Sequence, residues 1–193
     1  RADNHNTTDL NETYKVNFSQ QLGKINLIGS HTTGLRNPTL YELYGTDNYG
    51  IKGNTNLDPE KSKTNEVTLN YIFDEKISLK STAYKTTIFD RIESNAGYTQ
   101  HENMNTDINQ EGLENSISFK SDNQMFSLFN NFSKSRKDTG QVQNRRPDLS
   151  YGANYFKKIR KSPIGEIIMN VNYKHTGKYT DWDGSKNSVQ ESV

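Results

Sequence analysis

The chain has 193 residues, 30% of them hydrophobic, with 24 basic side chains against 23 acidic ones. Such a balance leaves no basic footprint for nucleic acid, and the lack of cysteine excludes disulfides and thiolate metal sites. No run approaches the ~18 apolar residues of a membrane helix, yet 11 Tyr and 8 Phe are too many for a solvated coil.

From the N-terminus, RADNHNTTDLNE reads as polar loop without the apolar core of a signal peptide. Tyr14, Val16, Phe18 and Leu22 then alternate with Lys15, Asn17, Ser19 and Gln21. Ile25, Leu27 and Gly29 alternate with Asn26 and Ser30, with Ile28 the exception. A long polar loop (34–62) leads to Val67, Leu69, Tyr71 and Phe73, and a short turn (74–76) to Ile77, Leu79 and Ala83. That pattern blurs from Tyr84 to Ile92, and a second long loop covers 95–110. Leu113, Ile117 and Phe119 follow, then a short turn (121–124) and Phe126, Leu128 and Phe132, with Phe129 on the wrong parity. A third long loop (134–146) precedes Leu149, Tyr151, Ala153 and Tyr155. A modest turn (158–165) precedes Ile167, Met169, Val171 and Tyr173, and polar sequence resumes at Asp181.

These segments predict about eight strands of period two, and no segment sustains a helical period. Short turns at one end and long loops at the other predict an all-β, antiparallel, up-and-down meander. A soluble sheet needs a second layer over its apolar face. The sequence offers neither an amphipathic helix nor spare apolar residues to build one, whereas lipid would cover that face unaided. The expected unit is therefore a transmembrane β-barrel segment. Both ends read as cut, so residues 1–193 are expected to be part of a larger barrel domain. Two other readings stay open. One is a soluble β-sheet carbohydrate-binding module; the other is a complete eight-stranded plugless barrel or adhesin, whose first and last strands would pair.

GLRNPTLYELYG (34–45) followed by GNTNLDPEKSKTNE (53–66) resembles the loop elements of a TonB-dependent outer-membrane receptor. Gly34, Leu35, Arg36, Pro38, Thr39, Leu40, Glu42, Leu43 and Tyr44 match the first element. Asn54, Asn56, Leu57, Pro59, Glu60, Lys61 and Ser62 match the second, while Asn37 in the first and Thr55 in the second depart from the family's pattern without altering the spacing. AYKTTIFDRI, NTDINQEGLE, RRPDLSYGANY and YKHTGKYTDWDG resemble later elements in the family's order. The resemblance implies a plugged barrel of about 22 strands, with plug, TonB box and last strands outside this sequence. It also implies a Gram-negative outer membrane, coupling to the TonB–ExbB–ExbD complex, and uptake of a scarce ligand such as cobalamin or a ferric siderophore. The short loops and NLDPEKSK look nearest to the cobalamin branch.

Pro38 and Pro59 bracket the longest loop, where a fixed φ and a missing N–H end strand pairing. Tyr41, Tyr44 and Tyr49 read either as an interfacial belt or as ligand platforms. Arg36 and Glu42 are spaced to pair within the loop. Loop position at the mouth makes Tyr41, Tyr44, Tyr49, Tyr98 and His101 the expected ligand contacts. His5, His31, His101 and His175 lack metal-ligand spacing, and haem receptors of the family carry a His between the two elements, where 39–53 has none. Asp181 and Asp183 do not follow EF-hand spacing and read as solvated loop. Asp74 and Glu75 read as a solvated turn. No nucleophile elbow, P-loop or zinc signature is present, so no metal, cofactor or catalytic activity is expected.

Overall fold

The computed structural model describes residues 2–5, 8–48, 50–159, 165–180, 185–187 and 190–192. β1 (Ala2–His5) and β2 (Thr8–Glu12) form a hairpin of their own, where the sequence had read as loop. β3 (Lys15–Leu22) and β4 (Ile25–Arg36) follow, then the five-residue helix α1 (Leu40–Tyr44). Next come β5 (Glu60–Ile72), β6 (Ile77–Phe89) and the short β7 (Ile92–Ser94) and β8 (His101–Asn103). β9 (Ile108–Lys120), β10 (Gln124–Lys137), β11 (Leu149–Ile159) and β12 (Ile167–Thr176) complete the long strands. β13 (Tyr179–Thr180) pairs with β14 (Lys186–Asn187), and β15 (Gln190–Ser192) with β12.

The main sheet runs β15-β12-β11-β10-β9-β6-β5-β4-β3, antiparallel throughout. Each of the eight expected strands lies beside its neighbours in sequence, as an up-and-down meander requires. β3 and β15 stand at opposite edges, so the sheet is open, and a closed eight-stranded barrel is excluded among the described residues. The strands extend further than the alternation did: the first long loop shrinks to 37–59 and the third to 138–148. Asp181, Asp183 and Tyr49 lie outside the described residues.

The two faces differ as period two demands. Along β5, residues 60–68 alternate strictly, with Glu60, Ser62, Thr64, Glu66 and Thr68 half-buried and Lys61, Lys63, Asn65 and Val67 exposed. A sheet curled with its polar face inward crowds that face and leaves the apolar one open. Phe18 (63% exposed), Val67 (53%), Leu128 (45%) and Phe132 (49%) all stand on the open face. The helix α1 is too short to cover them, so no second protein layer lies over this face among the described residues.

Register arranges the open face in rows. Leu79, Ile117, Leu128, Ala153 and Tyr173 lie opposite one another across β6, β9, β10, β11 and β12. Ala83, Leu113, Phe132 and Leu149 form another apolar row four residues nearer the loop end. Between them runs a polar row, Ser81–Asn115–Asn130–Tyr151–His175. Ser81 Oγ donates to Asn115 Oδ1 at 2.7 Å, and Asn115 Nδ2 donates to Asn130 Oδ1 at 2.9 Å. Tyr151 and His175 stack at 4.6 Å. Toward the short turns the face is aromatic: Phe119 lies opposite Phe126, which lies opposite Tyr155, and Tyr71 meets Phe73 edge-on at 4.5 Å. Toward the loops it turns basic, with exposed Lys61, Lys63, Lys85, Lys134 and Arg136.

The inner face explains the two aromatics that broke the pattern. Phe129 lies directly opposite Gly152, where a Cβ would come within 2.6 Å of its ring. Tyr84 lies opposite Gly112 in the same way, again at 2.6 Å. Each ring occupies the space that its partner glycine leaves empty. Hydroxyl pairs Thr64–Thr86 and Thr68–Thr82, both at 2.9 Å, satisfy the same face.

Candidate functional site

The long loops gather at one end of the sheet and are tied together from residue to residue. β4 stops at Arg36 and β5 starts at Glu60, the two being direct cross-strand partners, with buried Pro38 and Pro59 just beyond the ends. Thr39 caps α1 through a reciprocal box with Glu42. This T-x-x-E signal at 39–42 was readable in the sequence and marks a helical turn that periodicity alone passes over.

Arg36 joins these ends. Its Nε donates to Glu60 Oε2 and its Nη2 to Glu60 Oε1, both at 2.7 Å, while Nη1 reaches Glu42 Oε2 at 3.0 Å. Glu60 Oε1 also accepts the Ile92 N–H at 2.8 Å, and Glu42 Oε2 accepts the Thr39 N–H at 2.7 Å. Partial burial raises the Glu42 and Glu60 carboxyls, but the Arg36 bonds and these N–H donors outweigh it, and both lie below the usual carboxylate range. Bonds to Glu60 and then Glu42 hold the Arg36 guanidinium above its ordinary value. The expected Arg36–Glu42 pair is therefore present, and Glu60 makes it a three-member clamp.

Under the clamp, Leu43, Leu57 and Ile92 bury against one another, each at most 7% exposed. Gly53 packs on the Leu43 carbonyl, where a Cβ would sit 2.6 Å away. Asn54 Nδ2 donates to the His101 carbonyl at 3.0 Å, while its Oδ1 accepts the Asn56 N–H at 2.9 Å. Asn103 bridges the loops, accepting from Asp58 N–H at 2.9 Å and donating to the carbonyls of Asp58 (2.9 Å) and Asp90 (2.7 Å). Asn103 was not singled out from the sequence, because its role depends on which loops lie side by side.

Of the expected ligand contacts, Tyr41 and His101 meet edge-on with ring centroids 5.7 Å apart. Tyr44 and Tyr98 are exposed at 61% and 69%, and no ring contact joins them to that pair. Leu40, expected as a motif residue, is 77% exposed rather than packed. Gly34 faces Ser62, whose Oγ would be 2.6 Å from a Cβ there. No group of His, Asp or Glu among the described residues is arranged to hold a metal.

A family model described as TonB dependent receptor-like, beta-barrel, matches residues 1–192. No curated protein matches the chain in sequence. Similar solved structures include the siderophore receptor PirA from Acinetobacter baumannii, with a TM-score of 0.76 and 15% identity, covering 99% of this chain and 35% of that one. The ferric yersiniabactin uptake receptor FyuA from Yersinia pestis gives 0.71 and 14%, covering 95% of this chain and 29% of that one. The copper transporter OprC gives 0.69 and 16%, covering 95% and 30%. At these identities the likeness is one of fold, and the chain spans about a third of the length of those structures.

Proposed function

Because the chain belongs to the TonB-dependent receptor-like β-barrel family, we propose that it forms part of the wall and external mouth of an active-transport receptor. The receptor sits in the outer membrane of a Gram-negative bacterium. The observation that carries this reading is the sheet's open face: apolar rows crossing the strands with one polar row between them, aromatic at the turn end, basic at the loop end. Lipid suits the first, an interface the second and an outer surface the third. The strands of 10 to 14 residues from β4 to β12 match the ~9–11 residues needed to cross a bilayer at a tilt.

The imported ligand is a scarce nutrient, cobalamin or a ferric siderophore, with the NLDPEKSK segment and the short loops favouring cobalamin. Tyr41, Tyr44, Tyr49, Tyr98 and His101 contact it at the mouth. The clamped loops hold Tyr41 and His101 against each other, so that this pair needs little ordering on binding. A plug domain and the TonB–ExbB–ExbD complex supply the energised opening.

The test is uptake of labelled cobalamin and of a labelled ferric siderophore by cells expressing the full-length receptor and lacking other uptake systems. Accumulation that stops when TonB is deleted supports the reading. Accumulation of neither compound, or accumulation indifferent to TonB, overturns it. Tyr41→Ala should weaken binding of the accumulated compound about tenfold, from loss of one aromatic contact worth ~1.5 kcal/mol.

A further inference from the structure

Between the segment after β6 and the β10–β11 loop lies a cavity of about 260 Å³, lined by Arg91, Glu93, Lys137, Asn144, Arg145 and Arg146 among others. Among the described residues four cations line it against one carboxylate. Arg91 is 8% exposed, and its Nη1 is buried with no hydrogen-bond partner among the described residues. Its Nε lies 2.9 Å from Glu93 Oε1, an ion-pair distance that lacks the alignment of a hydrogen bond. A guanidinium buried with donors unmet costs several times what an exposed one does, so the cavity is short of an acceptor.

The walls are built before anything enters. The Arg91 carbonyl accepts the Met104 N–H at 2.7 Å, and the next residue, Ile92, is held by Glu60. Across the cavity, Lys137 N–H donates to Gln141, Gln143 N–H to the Ser135 carbonyl, and Arg145 N–H to Thr180. Ser135, 4% exposed, adds a side-chain bond to Gln143.

We propose that this cavity binds an anionic group of a ligand, a carboxylate or a phosphate, with Arg91 as the buried anchor and Lys137, Arg145 and Arg146 as the surrounding positive field. The inference rests on the receptor reading, which turns this loop end toward the medium and makes the imported compound the source of the anion. Arg91 offers Nη1, and the other cations raise the local concentration of anions before contact.

The experiment is calorimetric titration of the purified full-length receptor with citrate and, separately, with pyrophosphate. At least one should bind one-to-one, and the tighter of the two tells a carboxylate ligand from a phosphate one. Arg91→Gln should weaken binding tenfold or more, Arg146→Gln severalfold, and Lys61→Gln, on the open face of β5, not at all. Heat-dependent gel mobility checks that each variant is folded; should Arg91→Gln fail there, Arg146→Gln and the loss of affinity in added salt decide. No binding by the unaltered receptor, or equal binding by all variants, overturns the proposal. Intact TonB-dependent uptake alongside absent anion binding removes the cavity inference alone. Failed uptake removes the receptor reading instead and leaves the titration result to stand for itself.

Discussion

Arg36 reaches two carboxylates and, through them, the ends of β4 and β5, the helix α1 and the start of β7. Its pairing with Glu42 was legible from spacing. Its bidentate bond to Glu60 was not, because 24 residues separate them in sequence and only the β4–β5 register brings them face to face. Both carboxyls are held below their ordinary range, so their contribution is fully present above about pH 4.3. It is lost as pH falls through the depressed values of the folded state. Arg36 is held above its ordinary value and stays charged across that window, adding no pH dependence. Protease resistance of the 37–59 loop should therefore hold at pH 7 and fall as pH drops below about 4.3, the ordinary carboxyl value. Arg36→Met should shrink that step, the Thr39 and Ile92 N–H donors remaining, and cost about 1–2 kcal/mol of loop stability, modest because the guanidinium is partly exposed.

The eight long strands were visible in the sequence because the two faces of the sheet carry opposite chemistry on alternate residues. What broke the alternation was not visible, because Phe129 and Tyr84 face inward for reasons that lie on other strands, at Gly152 and Gly112. A Gly152→Ala change would drive a methyl into the Phe129 ring and the Tyr173 carbonyl. It should cost about 1–3 kcal/mol of stability in urea unfolding of the full-length protein in lipid vesicles. The polar row of Ser81, Asn115 and Asn130 makes the opposite kind of case. These residues stand on the open face between two apolar rows and satisfy one another. Asn115→Leu strands both partners and should cost on the order of 1 kcal/mol, whereas replacing all three by apolar residues should restore most of it. Equal loss in the single and triple variants would show that the row's hydrogen bonds contribute nothing.

For the whole molecule, the decisive feature is that each long strand carries two environments. Arginine placed at Ile117, on the open face, should cost about 2–4 kcal/mol if that position lies near mid-bilayer, and far less at the adjacent Ser116. The same two-facedness explains how far sequence reading could go. Alternation and ordered loop elements identify wall and ends, while the Arg91 cavity joins loops some 50 residues apart and appears only once the strands are in register. The most direct test of the membrane-wall assignment is a spin-label scan along residues 113–119 in the full-length receptor, one label at a time, in lipid bilayers. Labels at 113, 115, 117 and 119 should be reached by oxygen dissolved in lipid, and those at 114, 116 and 118 by a water-soluble nickel chelate. Water-like accessibility at all seven positions would contradict it.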